Sequence, residues 1–457
     1  MQEYTKRLGD APLGRLLIKL SLPGIATTIT TSLYNIVDTI WVSKIGYEAI
    51  AALTIVFPYQ ILNYAIGGGT GVGIAALVSR RFGENNPEAA NKAAGQIFFV
   101  SAAWGLLFIL LAVLFSDKIL LFFGATPDIM TYSKQFMVIT SFGAPLVIFA
   151  VVTANLLRGS GDAVKPMIIM VSSTVINVAL DPFLIFGIGP FPEMGVSGAA
   201  LSTVIAQACG ALLGLYYLLA GKTAYHIKLA NLRPNLSILK DIYRVGLPSA
   251  VTQIMESLVF VLFNKLVSSF GSLMIAVLGI VMRISDFTFM PVMGVSQGLL
   301  PIVGYSFGAG NYKRLWQAVK LASLGIMALM AVITIFFVIF APQIVGIFSN
   351  NPDLTAEAVP AMRIMLLTMT LFGPTVMFVT TFQGLSQGTK SLFLSLLRQF
   401  IIFVPALYLL HYFFGLYGIW WSWPASDVLS IVLVGFFIYR EYKKHPGGPD
   451  DKPEKAW

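Results

Sequence analysis

The sequence is poor in charge. Only 11% of its 457 residues are Asp, Glu, Lys or Arg, and 57% are hydrophobic, against roughly a quarter charged in a typical soluble domain. So little charge excludes an ordinary water-soluble globule. Histidine is scarce as well: His226, His411 and His445 stand far apart, and no histidine-built metal centre is expected. The single cysteine, Cys209, lies in an apolar segment with no second thiol and says nothing about redox compartment. No nucleophile–base pattern is evident, so the chain is not expected to be an enzyme. The formal net charge is +9, yet the basic residues form no stripe, and no nucleic-acid partner is expected.

What the sequence does have is long apolar runs. Stretches such as "AAGQIFFVSAAWGLLFILLAVLF" and "ALMAVITIFFVIFAPQIVGIF" reach the ~20 residues that cross about 30 Å of hydrocarbon as a helix. The charged opening "MQEYTKRLGD" and the length of the first apolar segment argue against a cleavable signal peptide. Hydropathy, with Gly, Pro and charge as punctuation, divides the chain into about twelve spans, the first centred near Ile29 and the last near Val432. Basic residues gather after the even-numbered spans: Arg80, Arg81 and Lys92; Arg158 and Lys165; Lys222 to Arg244; Lys313, Arg314 and Lys320; Lys390 and Arg398; and Arg440 to Lys444. By the positive-inside rule both termini are then cytoplasmic, in a multi-pass protein of the plasma or inner membrane.

The halves repeat at an offset of 225 residues. Pro23 pairs with Pro248, Gly69 and Gly73 with Gly294 and Gly298, Asn86 with Asn311, and Lys165 with Lys390. Six spans return the chain to its starting side, so the two copies insert in parallel, related by a pseudo-two-fold axis along the membrane normal. The expected fold is therefore all-α and polytopic, with twelve transmembrane helices in two six-helix bundles. The expected division is an N-lobe over 1–220, a cytoplasmic connection over 221–240 that reads as the hinge, a C-lobe over 241–442 and a disordered tail over 443–457. Two like-facing bundles that can rock about a central cleft favour a transporter.

Ionisable groups inside hydrocarbon are costly and usually face a partner or an aqueous cavity. Asp38, in "SLYNIVDTIW", shares a helix face with Asn35, Tyr34, Thr31 and Thr27. In "SSTVINVALDPFLIFG", Thr174, Asn177 and Asp181 share a face, and Pro182 frees a carbonyl one turn back. The second group either binds a cation or merely satisfies the ladder broken at Pro182. On the seventh span Thr252, Gln253 and Glu256 form a polar patch, either a second ion site or a satisfied acid at a helix crossing. Arg283 and Asp286 read as an intrahelical pair, and Asp427 has no evident partner. The glycines of "IGGGTGVG" lack the strand-turn-helix setting of a nucleotide loop and suit close helix packing instead.

Taken together and in order, "LYNIVDTIWVSKIG", "VSRRFGENN", "LLRGSGDAVKP" and "NVALDPFLIFG" resemble the motifs of the multidrug and toxic compound extrusion (MATE) family over essentially the whole chain. The resemblance implies an antiporter that exports cationic or amphipathic compounds against H+ or Na+, with no other cofactor. It is similar to the DinF-like branch in its paired acids. This implies an N-lobe pocket of Thr31, Tyr34, Asp38, Asn155, Asn177, Asp181 and Thr203, with ion coupling, and any Na+ binding, at Asp38 and Asp181. Glu256 falls where the NorM-like branch has a cation-binding glutamate, but the tenth span lacks that branch's second acid, so coupling is assigned mainly to the N-lobe. The expected partners are the lipid bilayer and small molecules, with the protein a monomer. A flippase for lipid-linked sugar precursors is the rival reading, expected to show a cationic cavity; a passive channel is the other.

Overall fold

A computed structural model describes residues 2–348 and 351–446; the side chains of 2–5, 35, 36, 47 and 272 are outside the description. The expected tail lies mostly beyond it, since 447–457 are outside the described residues and the last helix runs on to Lys444.

Helices make up most of the described residues, and no strand occurs among them. In the first half the helices are α1 (Gln2–Asp10), α2 (Leu13–Ser43), α3 (Tyr47–Gly83), α4 (Pro87–Phe122), α5 (Pro127–Phe142), α6 (Ala144–Gly159), α7 (Val164–Phe186) and α8 (Val196–Leu219). In the second they are α9 (Leu236–Ser268), α10 (Ser272–Gly308), α11 (Tyr312–Ile339), α12 (Ala341–Phe348), α13 (Pro352–Leu366), α14 (Met369–Gly384), α15 (Gly388–Leu396) and α16 (Val404–Lys444), with a π-helical stretch, Leu397–Phe403, joining the last two. Among the described residues nine helical stretches are long and apolar enough to cross a bilayer, and the bent pairs α5–α6 and α13–α14, at 50° and 43°, bring the number to eleven. The last of these runs 57 residues, about 85 Å at 1.5 Å per residue and too long for one crossing. It breaks at Gly415, whose φ of +57° and ψ of −133° is a backbone conformation open to glycine. That break yields the twelfth span.

The repeat is visible in local geometry. Asn86 caps α4, its side chain accepting from Ala89 N at 3.0 Å, with Pro87 at the first helical position. At the same offset Asn311 caps α11, accepting from Arg314 N at 3.0 Å.

Two compact units emerge. One comprises the residues up to Asp10 and Ala26–Ala250; the other comprises Ala11–Ile25 and the residues from Val251 onward. The divisions at Ile25 and Ala250 are 225 residues apart, just after Pro23 and Pro248. Within the first unit, α3 packs on the opening turns of α9: a Cβ on Gly73 would stand 2.2 Å from the Ile242 carbonyl oxygen and 2.9 Å from Gly246 N. Within the second, Gly298 of α10 meets Ser21 and Leu20 of α2 in the same manner. The boundary expected at 241 therefore falls inside α9, and the first unit extends to Ala250.

The connection expected to act as a hinge is fastened down. Gln96, 1% exposed, donates through Nε2 to the carbonyls of Asn231 (3.2 Å) and Arg233 (3.0 Å) and accepts from Asn235 N at 2.9 Å. His226 N donates to Asn91 Oδ1 at 2.9 Å, and the buried Tyr225 hydroxyl donates to Leu156 O at 2.6 Å. Burial pushes the Tyr225 phenol well above its ordinary pKa, so it stays a donor at any physiological pH. The segment looked like a linker because it is polar; its backbone groups are satisfied by the first unit instead of water.

Candidate functional site

Asp181 is fully buried on α7, one turn after Asn177, which is 3% exposed. Both side chains meet Ser202, a fully buried residue on α8. The Ser202 hydroxyl donates to Asp181 Oδ1, and Asn177 Nδ2 donates to Ser202 Oγ at 3.1 Å and, more weakly, to Asp181 Oδ1 at 3.4 Å. The α7–α8 turn makes the approach possible, because Gly198 lies so close to the Leu184 carbonyl that a Cβ would sit 2.3 Å away. Ser202 escaped the sequence reading. A lone serine in an apolar helix carries no signal; its spacing of four from Gly198 is the only trace of the helix contact that places it.

The other acid comes from α2. Asp38 lies close enough to Asp181 for the charges of the two carboxyl groups to act on each other. Tyr34, one turn earlier, lies near Thr203 of α8. Asp181 Oδ2 and Asn177 Oδ1 are buried with no donor among the protein groups described. The site therefore gathers two carboxyl groups and an amide oxygen around a point where the protein supplies too few donors. Buried acceptors are as a rule satisfied, and two carboxylates in contact repel unless something positive lies between them. A proton or a hard monovalent cation, which takes oxygen ligands, meets that need.

The structure thus brings together Tyr34, Asp38, Asn177, Asp181 and Thr203 of the expected pocket. Thr31 is exposed and donates its hydroxyl to Thr27 O at 2.9 Å; the side chain of Asn35 lies outside the described residues. Asn155 packs over Gly71, donates to Val151 O at 2.9 Å and accepts from Arg158 Nη1 at 3.4 Å, contacts that tie it to α3 and α6. Among the described residues, no group of three or more His, Cys, Asp or Glu is placed to hold a metal ion.

In the second unit Glu256 accepts from Gln399 Nε2 at 3.1 Å, and the Gln253 carbonyl accepts from Ser257 Oγ at 3.3 Å. Asp427 does have a partner, Arg398, at 3.2 Å. Arg398 was grouped with the basic residues of a connection, but it lies inside the π-helical stretch.

The repeat allows the two halves to be compared position by position. Gly195, Gly198 and Ser202 correspond to Gly415, Gly418 and Ser422, an offset of 220 after a shorter connection: a Cβ on Gly418 would meet the Leu410 carbonyl as that on Gly198 meets Leu184, and Ser422 Oγ lies 2.6 Å from Ile419 O as Ser202 Oγ lies 2.8 Å from Ala199 O. Matching Leu410 to Leu184 aligns Asn177 and Asp181 with Phe403 and Leu407, and the offset of 225 aligns Asp38 with Phe263. Phe263 packs against Phe403, Trp420 and Trp423 with ring centroids 6.0, 6.1 and 5.9 Å away. One frame thus holds buried acids in the first half and a ring cluster in the second.

Comparison with known proteins agrees with this architecture. At 26% identity over 432 residues, 94% of each chain, the sequence is similar to the multidrug export protein MepA of Staphylococcus aureus strain MSSA476. Its structure is similar to an outward-facing multidrug resistance MATE family transporter of the MOP superfamily, with a TM-score of 0.92 and 26% identity over 98% of this chain and 99% of that one. It is also similar to a MOP superfamily transporter from Pyrococcus furiosus described for the reverse polarity of its binding pocket, with a TM-score of 0.90 and 26% identity over 97% and 99% of the two chains. The MatE family model matches residues 23–183 and 248–409, once in each half, and the chain belongs to this family of membrane transporters.

Proposed function

We propose that this protein is a secondary active antiporter that exports small cationic or amphipathic compounds in exchange for H+ or Na+. The observation that carries the reading is half-buried Asp38 set against the fully buried Asp181, whose Oδ2 finds no donor in the surrounding protein. The multidrug relatives support the substrate class, and the basic connections after even-numbered spans support a plasma or inner membrane protein with both termini cytoplasmic. Nothing in the site requires a second copy of the chain.

The side chains supply a switch. With a cation between them the two acids are held together, and Ser202 and Asn177 keep the Asp181 carboxylate in place. Without it they repel: two unit charges 4 Å apart interact by about 4 kcal/mol at an effective dielectric of 20. Moving a two-state equilibrium from 1:99 to 99:1 takes about 5.5 kcal/mol, so occupancy of this site is of the size needed to bias one facing state over the other. A cationic substrate need not share the site. It has only to favour the facing state that the coupling ion disfavours, and exchange follows from that linkage.

Purified protein in liposomes, given separately imposed sodium and pH gradients, tests the reading with tetraphenylphosphonium as the cationic probe. Either gradient, or both, should drive the probe uphill. Probe flux that ignores both gradients, or selective transfer of an anionic lipid-linked pyrophosphate, would contradict it.

A further inference from the structure

The second half contains its own buried charges, and they are arranged differently from those of the first. Where Ser173 of α7 donates to Ala206 O at 2.7 Å, the corresponding residues are Arg398 and Ser426, with Ser426 Oγ donating to Arg398 O at 3.3 Å. Where Gly143 lies against Gln207, a Cβ there being 2.2 Å from Oε1, the corresponding Thr368 donates to Asp427 Oδ2 at 3.0 Å. The same corner of the fold is uncharged in one half and holds an arginine and an aspartate in the other.

That arginine is held from every side. Its Nη2 and Nε lie 3.2 and 3.4 Å from Asp427 Oδ1, and its guanidinium carbon sits 4.3 Å from the Phe372 ring centroid. Both paired side chains are largely enclosed, at 16% and 5% exposure. The residue stands on the π-helical stretch Leu397–Phe403, whose wider turn inserts one residue into the helix. This agrees with the offset passing from 225 at Lys165 and Lys390 to 226 at Leu184 and Leu410. The next residue, Gln399, donates to Glu256 Oε1 at 3.1 Å, which sets Glu256 beside the turn that carries Arg398. One tethered cation thus pairs with one acid and neighbours another.

We propose that Arg398 is the resident cation of the second half: fixed on the π turn by Asp427 and neighbouring Glu256, it occupies the place an exchangeable ion would need. Glu256 is then not a second coupling site, and the ion exchanged in each cycle binds in the first half alone. The inference rests on the reading of Asp38 and Asp181 as the coupling pair and adds where the count of coupling ions is set. Arg398 acts through the two acids and is a positioning residue. Lysine would not reproduce the arrangement, because the planar guanidinium stacks on Phe372 while directing two donors to one carboxylate.

The test uses the full-length protein in liposomes, with tetraphenylphosphonium transport, its dependence on Na+ and pH, and the ratio of ions to probe as readouts. Glu256→Gln should keep gradient-driven transport within about threefold of the parent at an unchanged ratio, since the acid exchanges no ion. Arg398→Gln leaves two acids without their cation and should lower transport by at least about tenfold, with a steeper cation dependence as a second ion is recruited. Adding Asp427→Asn and Glu256→Gln to it removes both acids and should restore both the rate and the original cation dependence, a recovery that lost packing would not produce. Loss of coupling in Glu256→Gln overturns the proposal, as does a triple variant no better than Arg398→Gln or an ion ratio altered in Glu256→Gln. Where Arg398→Gln alone fails to fold, Glu256→Gln and the triple variant still decide. Coupling that survives Asp38→Asn counts against the first-half reading, whatever the Arg398 variants do.

Discussion

Ser202 shows how much depends on a residue with no sequence signal of its own. Its hydroxyl donates to Asp181, and a hydrogen bond to a charged group contributes about 1.5–3 kcal/mol. Without it the ion-free, ionised site is less stable, so the coupling ion is held more tightly and leaves more slowly. Ser202→Ala should therefore lower turnover by about tenfold while lowering the half-saturating ion concentration, both measurable by initial rates in liposomes. The acids themselves were legible: Asp38 and Asp181 stand alone in apolar runs, and Tyr34 and Asn177 precede them at helical spacing. Asn155 was legible only through family resemblance, and its contacts are with Val151, Arg158 and Gly71. The pairing of Arg398 with Asp427 was hidden for another reason. An arginine eight residues past Lys390 reads as part of a basic connection, and the π turn that carries it inward leaves no trace in composition.

At the scale of elements, helices were readable from apolar runs, but what fastens them together was only partly so. The glycines of α3 were expected at close helix crossings, and Gly73 lies at one, within reach of the Ile242 backbone. Gly73→Ala should cost about 1–3 kcal/mol through overpacking, and Gly73→Val more; the melting temperature of the purified protein checks the order. The 221–240 connection shows the opposite case, because hydrogen bonds to backbone from Gln96 and Asn91 have no periodicity to reveal them. Tyr225→Phe removes the bond to Leu156 O and should cost about 1 kcal/mol. The loss should be the same from pH 5 to pH 9, since burial keeps the phenol protonated across that range. Faster limited proteolysis within the connection would report it, and a rate unchanged from the parent would show that the bond contributes little.

The whole molecule is two copies of one frame put to different uses. Equivalent turns, caps and glycine contacts recur at offsets of 220 to 226 residues, which is why the duplication and the span count could be read before any coordinates. The difference between the copies could not, because it lies in which side chains meet. Buried acids that find too few donors mark the first half, while rings at Phe263, Phe403, Trp420 and Trp423 fill the corresponding place in the second. The proposed exchange belongs to the first of the two repeated halves. The most direct measurement is gradient-driven tetraphenylphosphonium transport by Asp38→Asn and Asp181→Asn beside the parent protein in the same liposomes. Both variants should remain folded and monodisperse and yet show no flux above that of protein-free liposomes under either gradient. Uphill transport at the parent's rate by either variant would contradict the account.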